Sequence, residues 1–78
     1  MTFGDAVGLM KQGKSVGRAG WNGKKMYVYL EWYSPSQFSG RVYAPCFVLF
    51  TAQGAHQPGW NASTADVLAE DWEGVDYT

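Results

Sequence analysis

Cys46 is the only cysteine and His56 the only histidine in the chain. A lone thiol forms no intrachain disulfide, and one Cys with one His leaves a tetrahedral zinc site incomplete. Charge of one sign is equally scarce. Six Lys and Arg against seven Asp and Glu give a net charge of −1, which excludes the broad basic field through which polymeric DNA or RNA is held. No apolar run approaches the roughly 20 residues of a membrane span, and residues 1–14 lack a basic segment followed by an apolar one. The expectation is a cytoplasmic protein with no membrane partner, no metal and no cofactor.

Aromatics are what the chain has in quantity: four Trp, five Tyr and four Phe among 78 residues. A domain of this size buries only about 60% of the surface its unfolded chain exposes. With disulfides and metals excluded, large aromatics and self-association are the means of stabilisation left. The chain is therefore expected to be a single domain, 1–78, that forms a homo-oligomer.

The periodicity predicts an α+β fold, a small antiparallel sheet with an N-terminal helix and a short C-terminal helix. Thr2, with Asp5 three residues on, opens a helix over residues 2–12, with Phe3, Ala6, Val7, Leu9 and Met10 at helical spacing and Gly13 as its stop. Residues 15–18 read as a short strand, and 26–33 alternate Met26, Val28, Leu30 and Trp32 against Tyr27, Tyr29, Glu31 and Tyr33, a strand with two apolar faces. Residues 34–40 form a turn-rich loop, and 41–51 a second long strand, with Pro45 at a bulge or edge. After a loop over 52–59, Ser63 with Asp66 opens a short helix over 63–70. Trp72 and Val75 close the chain as a strand or docked tail, and Tyr77 and Thr78 lie at a terminus expected to fray.

Two segments concentrate chemistry. In the first, Arg18, Trp21, Asn22, Gly23, Lys24 and Lys25 bring cations, an aromatic face and close backbone together, a combination suited to a phosphate or pyrophosphate. Arg18 can stack on an aromatic or make a forked contact. Trp21 offers a face for a nucleobase, a stack worth on the order of 1–3 kcal/mol in single-stranded nucleic-acid binding. Burial against the N-terminal helix explains Trp21 equally well, and a type I′ hairpin turn explains Asn22-Gly23 without any ligand. In the second segment, Asn61, Ser63, Thr64 and Asp66 supply amide, hydroxyl and carboxylate groups for ribose or a base edge. For Ser63 and Asp66, helix capping is the simpler role, and it is compatible with ligand contact. Catalytic signals are weak. Ser63 has no base near it in sequence, Cys46 lies in an apolar stretch, and His56 stands alone in a loop. Asp66, Glu70 and Asp71 can approach as carboxylates, but charges at a helix end are usually only solvated.

The order Phe3…Ala6…Gly13…Val16…Arg18-x-Gly20-Trp21-Asn22-Gly23-Lys24-x-Met26, followed by Trp60-x-x-Ser63-x-x-Asp66-x-Leu68-Ala69-Glu70-Asp71-Trp72, resembles the second Thoeris anti-defence protein family of bacteriophages. The resemblance covers both ends of the chain, while residues 34–58 match no pattern of the family. It implies a homotetrameric sponge in an infected bacterial cell. Such a protein sequesters cyclic nucleotide immune signals, cyclic ADP-ribose isomers of Thoeris or cyclic oligonucleotides of CBASS, without degrading them, in pockets between subunits. Arg18, Trp21, Asn22, Gly23, Lys24, Ser63 and Asp66 are the positions that carry over as candidate ligand contacts, and the residue chemistry adds Asn61. A nucleotide-signal hydrolase using Asp66, Glu70 or Asp71, and a module that blocks a host defence protein through its aromatic strands, are the rival classes.

Overall fold

The computed structural model describes residues 1–21, 25–32 and 40–76. Its first helix, α1, spans Phe3–Lys11 and is closed at both ends. The Thr2 hydroxyl accepts from the Asp5 N–H and the Asp5 carboxylate accepts from the Thr2 N–H, both at 3.2 Å, completing a capping box. At the other end Gly13 turns left-handed at φ 86°. The Gly13 and Lys14 amides then return to the Met10 and Leu9 carbonyls at 3.0 and 3.1 Å, which is the bonding of a Schellman stop.

Among the described residues five strands follow: β1 Ser15–Arg18, β2 Tyr27–Glu31, β3 Cys46–Phe50, β4 His56–Pro58 and β5 Trp72–Val75, with helix α2 at Thr64–Leu68. They form one sheet in the order β4-β3-β2-β1-β5, and every pairing is antiparallel. The last strand therefore lies beside the first, with Arg18 opposite Trp72 and Ser15 opposite Val75. A 3-10 turn, Ala19–Trp21, carries the chain off the end of β1.

The sheet presents two different faces. Val16, Val28 and Trp72 point toward α1 and, with Ala6 and Met10, make a core in which no member is more than 2% exposed. Phe3, Leu9, Leu30, Phe47, Leu49 and Trp60 pack around it. Period-two alternation sends Tyr27, Tyr29, Val48 and Phe50 to the opposite face. There Tyr27 stacks on Phe50 at 4.9 Å and 17°, and Phe50 meets His56 at 4.9 Å. Among the described residues no helix is long and apolar enough to cross a membrane.

Several boundaries differ from those expected. The strand predicted over 26–33 is Tyr27–Glu31, and Tyr33 lies outside the described residues. The strand predicted over 41–51 shortens to Cys46–Phe50, because Pro45 lacks an N–H for the ladder and restricts the residue before it. Strand β4 lies within the expected 52–59 loop and is organised by pairing alone, with Phe50 opposite His56 and Val48 opposite Pro58. Helix α2 runs from Thr64, not Ser63, and stops at Leu68, since Ser63 is its N-cap and Ala69 is extended at ψ 148°. The Asn22-Gly23 turn, residues 34–39 of the loop, Tyr77 and Thr78 lie outside the described residues.

Candidate functional site

The two chemistry-bearing segments meet at the end of β1. Pairing of β1 with β5 places Arg18 beside Trp72, and the chain preceding Trp72 folds back over the guanidinium. Arg18 Nη1 donates to Asp66 Oδ1 and its Nε to Asp71 Oδ1, each at 2.9 Å. The three side chains are partly shielded, at 23%, 16% and 35% exposure for Arg18, Asp66 and Asp71. Arg18 is thus forked between two carboxylates of its own chain.

Each carboxylate does a second job with its other oxygen. Asp66 Oδ2 accepts from the Ser63 N–H while the Ser63 hydroxyl accepts from the Asp66 N–H, both at 3.1 Å, the capping box of α2. Asp71 Oδ2 accepts from the Gly20 N–H at 3.0 Å, and the Asp71 carbonyl takes the Ala19 N–H at 3.0 Å. The hydrogen bond from Arg18, with help from the Gly20 amide, holds Asp71 below the usual carboxylate range. For Asp66, burial is the largest influence and raises its pKa, but the bonds from Ser63 and Arg18 together outweigh it and the net shift is downward. Both groups are carboxylates at neutral pH, so the cluster of one guanidinium and two carboxylates carries a net charge of −1.

Trp21 ends the 3-10 turn, half-buried, and stands edge-on to Trp72 with centroids 5.5 Å apart at 77°. Trp72 is the centre of an aromatic cluster that also takes Phe3 at 5.4 Å and Trp60 at 6.3 Å. The indole N–H of Trp72 donates to the Asp66 carbonyl at 2.8 Å, so the same residue that grips Arg18 anchors the cluster. Trp21 is thus packed against Trp72 while part of the residue stays exposed. Asn61 and Ser63 are exposed on the approach to α2. Asn22, Gly23 and Lys24 lie outside the described residues, and Lys25, which follows them, is exposed and left-handed at φ 57°.

Asp71 is the residue that the sequence reading undervalued. Its only sequence signal is the run Glu70-Asp71-Trp72 after a capped helix, and its proximity to Arg18 depends on strand pairing across 53 positions. A cleft of about 490 Å³ lies at the other end of the β1–β5 pair, lined by Gly13, Lys14, Ser15, Gly74, Val75 and Asp76. It contains none of the candidate ligand residues and offers no convergent polar side chains beyond Lys14, Ser15 and Asp76. Arg18, Trp21 and Asp66 lie toward the opposite end of that strand pair.

A five-stranded antiparallel sheet with one covering helix, and an aromatic and ionic corner built by the first and last strands, define a small α+β fold. The family model of the Thoeris anti-defense 2-like domain matches residues 1–75. A relative named Thoeris anti-defense 2, from Bacillus phage SP01, is 35% identical over 82 aligned positions, covering 94% of this chain and 92% of its own length. The chain belongs to the Thoeris anti-defense 2-like family.

Proposed function

We propose that this chain is a non-catalytic phage anti-defence sponge that binds a cyclic nucleotide immune signal in the infected cell and withholds it from its effector. The observation that carries the reading is Trp21, an indole fixed edge-on to Trp72 at 5.5 Å on a turn tied to Asp71, and still partly exposed. A planar group held rigidly before the ligand arrives loses little freedom on binding. Family membership supports the anti-defence role.

In this reading Trp21 stacks a base of a cyclic ADP-ribose isomer or a cyclic oligonucleotide. Asn22 and Gly23 bring amide groups close, and Asn61, Ser63 and Asp66 read ribose or base edges. Arg18 and Lys24 face the phosphates. Arg18 shares its charge with two carboxylates of its own chain, which reduces what it offers to a phosphate. A homotetramer with pockets completed by neighbouring subunits agrees with the apolar side chains left exposed, Trp32, Val42, Tyr43 and Leu68 among them.

The state of the carboxylates weighs against one route to hydrolysis, proton donation to a leaving group. A general acid needs a proton at neutral pH, and Asp66 and Asp71 are both held below the usual range by donors that occupy their oxygens. The test is to mix the protein with the product of an active Thoeris sensor, remove free nucleotide, denature the protein by heat and weigh what is released. The intact signal is expected. Release of a cleaved product supports the hydrolase instead, and recovery of a host protein with no nucleotide heat in calorimetry supports the interaction module.

A further inference from the structure

Among the described residues, Asp71 is distinguished by how completely its polar atoms are committed to one short turn. Oδ1 takes Arg18 Nε at 2.9 Å, Oδ2 takes the Gly20 N–H at 3.0 Å, and the backbone carbonyl takes the Ala19 N–H at 3.0 Å. Three successive residues, Arg18, Ala19 and Gly20, are thus bonded to a single residue, and the next residue is Trp21. Gly20 allows the approach, because a Cβ there would stand 3.3 Å from Asp71 Oδ2. The other end of the same residue is equally tied, since Trp72 follows it directly and Trp72 is the ring against which Trp21 rests.

We infer that Asp71 is a positioning residue of the ligand site: it fixes the turn Ala19–Trp21 against β5 and so sets the indole of Trp21 in its binding geometry without touching the ligand. The inference rests on the stacking role proposed for Trp21. Each carboxylate oxygen takes a donor from within the chain, and the bonds Asp71 makes pass directly to the turn that ends in Trp21. The carboxylate is required, because an acceptor must face Arg18 and Gly20 at once. Asn in its place offers one oxygen, and its NH2 group confronts the other donor.

The test uses three variants of the full chain, with cyclic ADP-ribose isomers produced by a Thoeris sensor and cyclic oligonucleotides as the probes in calorimetry and amide NMR as a ligand-free readout. D71N is expected to stay folded, to shift the Gly20 amide and Trp21 indole resonances, and to weaken binding roughly tenfold, the lower end of what outer-shell partners contribute at metal sites. G20A retains every charge while pressing on Asp71 Oδ2, and is expected to move the same resonances and weaken binding by a smaller factor. Y29F removes the contact with His56 on the opposite face of the sheet, lowering the melting temperature without changing affinity, which separates positioning from loss of stability. Folded D71N that binds within twofold of wild type, or that leaves the Trp21 indole resonance in place, overturns the inference. A wild-type chain that binds none of the probes overturns the sponge reading itself, so the two failures are distinguishable.

Discussion

Arg18 Nη1 donates to Asp66 Oδ1 across 2.9 Å, joining the end of β1 to the first turn of α2 over 48 positions of sequence. With the Nε bond to Asp71, this contact fastens the chain's late segment to its first strand, and its dependence on pH has a definite sign. Asp66 and Asp71 titrate below their ordinary values in the folded chain. Their contribution is therefore fully present above the unfolded carboxylate pKa of about 3.9 and is lost as pH falls through the lower folded values. Thermal melts followed by circular dichroism are expected to be flat from neutral pH to about pH 5 and to fall steeply below about pH 4. Arg18→Met should melt lower at neutral pH and lose less on acidification. Parallel pH curves for the two proteins would refute the linkage.

Trp21 and Trp72 touch, yet truncating them should have opposite consequences. Trp72 is 2% exposed at the centre of the aromatic cluster, and Trp72→Ala is expected to cost about 3–5 kcal/mol, enough to unfold much of a marginally stable small domain. Trp21 is only half-buried at the rim. Trp21→Ala should keep the far-ultraviolet spectrum of the wild type and abolish binding of the cyclic nucleotide signal in calorimetry. Retained nucleotide binding in folded Trp21→Ala would remove the stacking assignment.

The elements stabilised by local chemistry were legible in the sequence. Thr2 with Asp5, Ser63 with Asp66, and Gly13 marked helix ends by capping and a left-handed stop, and these are local bonds over three or four residues. Alternation marked β2 because both of its faces are covered by aromatic or aliphatic neighbours. By contrast β4 is three exposed residues, His56-Gln57-Pro58, with no periodic pattern, and only the β3 ladder makes it a strand. The candidate site divides the same way. Arg18, Trp21 and Asp66 stand out by residue type, but their convergence depends on β5 returning beside β1, which no local pattern reports. Asp71 carried only the signal of a carboxylate near a helix end, and such a carboxylate is ordinarily a solvated one.

Gly17 and Gly8 give a paired prediction about space. A Cβ at Gly17 would lie 3.1 Å from the Met26 carbonyl oxygen, 3.4 Å from Val75 Cγ1 and 3.7 Å from Trp21 Cε3, whereas at Gly8 it would meet nothing within 4 Å. The first of these contacts is with backbone, which cannot rotate away. Gly17→Ala should destabilise the chain by about 1–3 kcal/mol, as overpacking does. Gly8→Ala, in the interior of α1, should stabilise it by roughly 0.5–1 kcal/mol. Urea midpoints measure both, and a neutral Gly17→Ala would mean that β1 and residue 26 separate easily.

On the face away from α1, the Tyr29 hydroxyl lies 2.7 Å from His56 Nδ1, bridging β2 to β4 across β3. Burial pushes the Tyr29 phenol above its ordinary value, so it stays neutral over the whole physiological range. A folded pKa raised above the unfolded one gives stability that is fully present below about pH 10 and falls as pH rises through the folded value. Tyr29→Phe keeps the ring and its 5.9 Å contact with Tyr27 but removes the bridge. The expected cost is about 0.5–1.5 kcal/mol at neutral pH, with a smaller loss of stability on going above pH 10 than in the wild type. Because β4 is an edge strand with all three residues exposed, the damage should be local, and amide exchange should accelerate in β4 before the core strands respond. Uniform acceleration across β1, β2 and β3 would instead make the Tyr29–His56 contact part of the global fold.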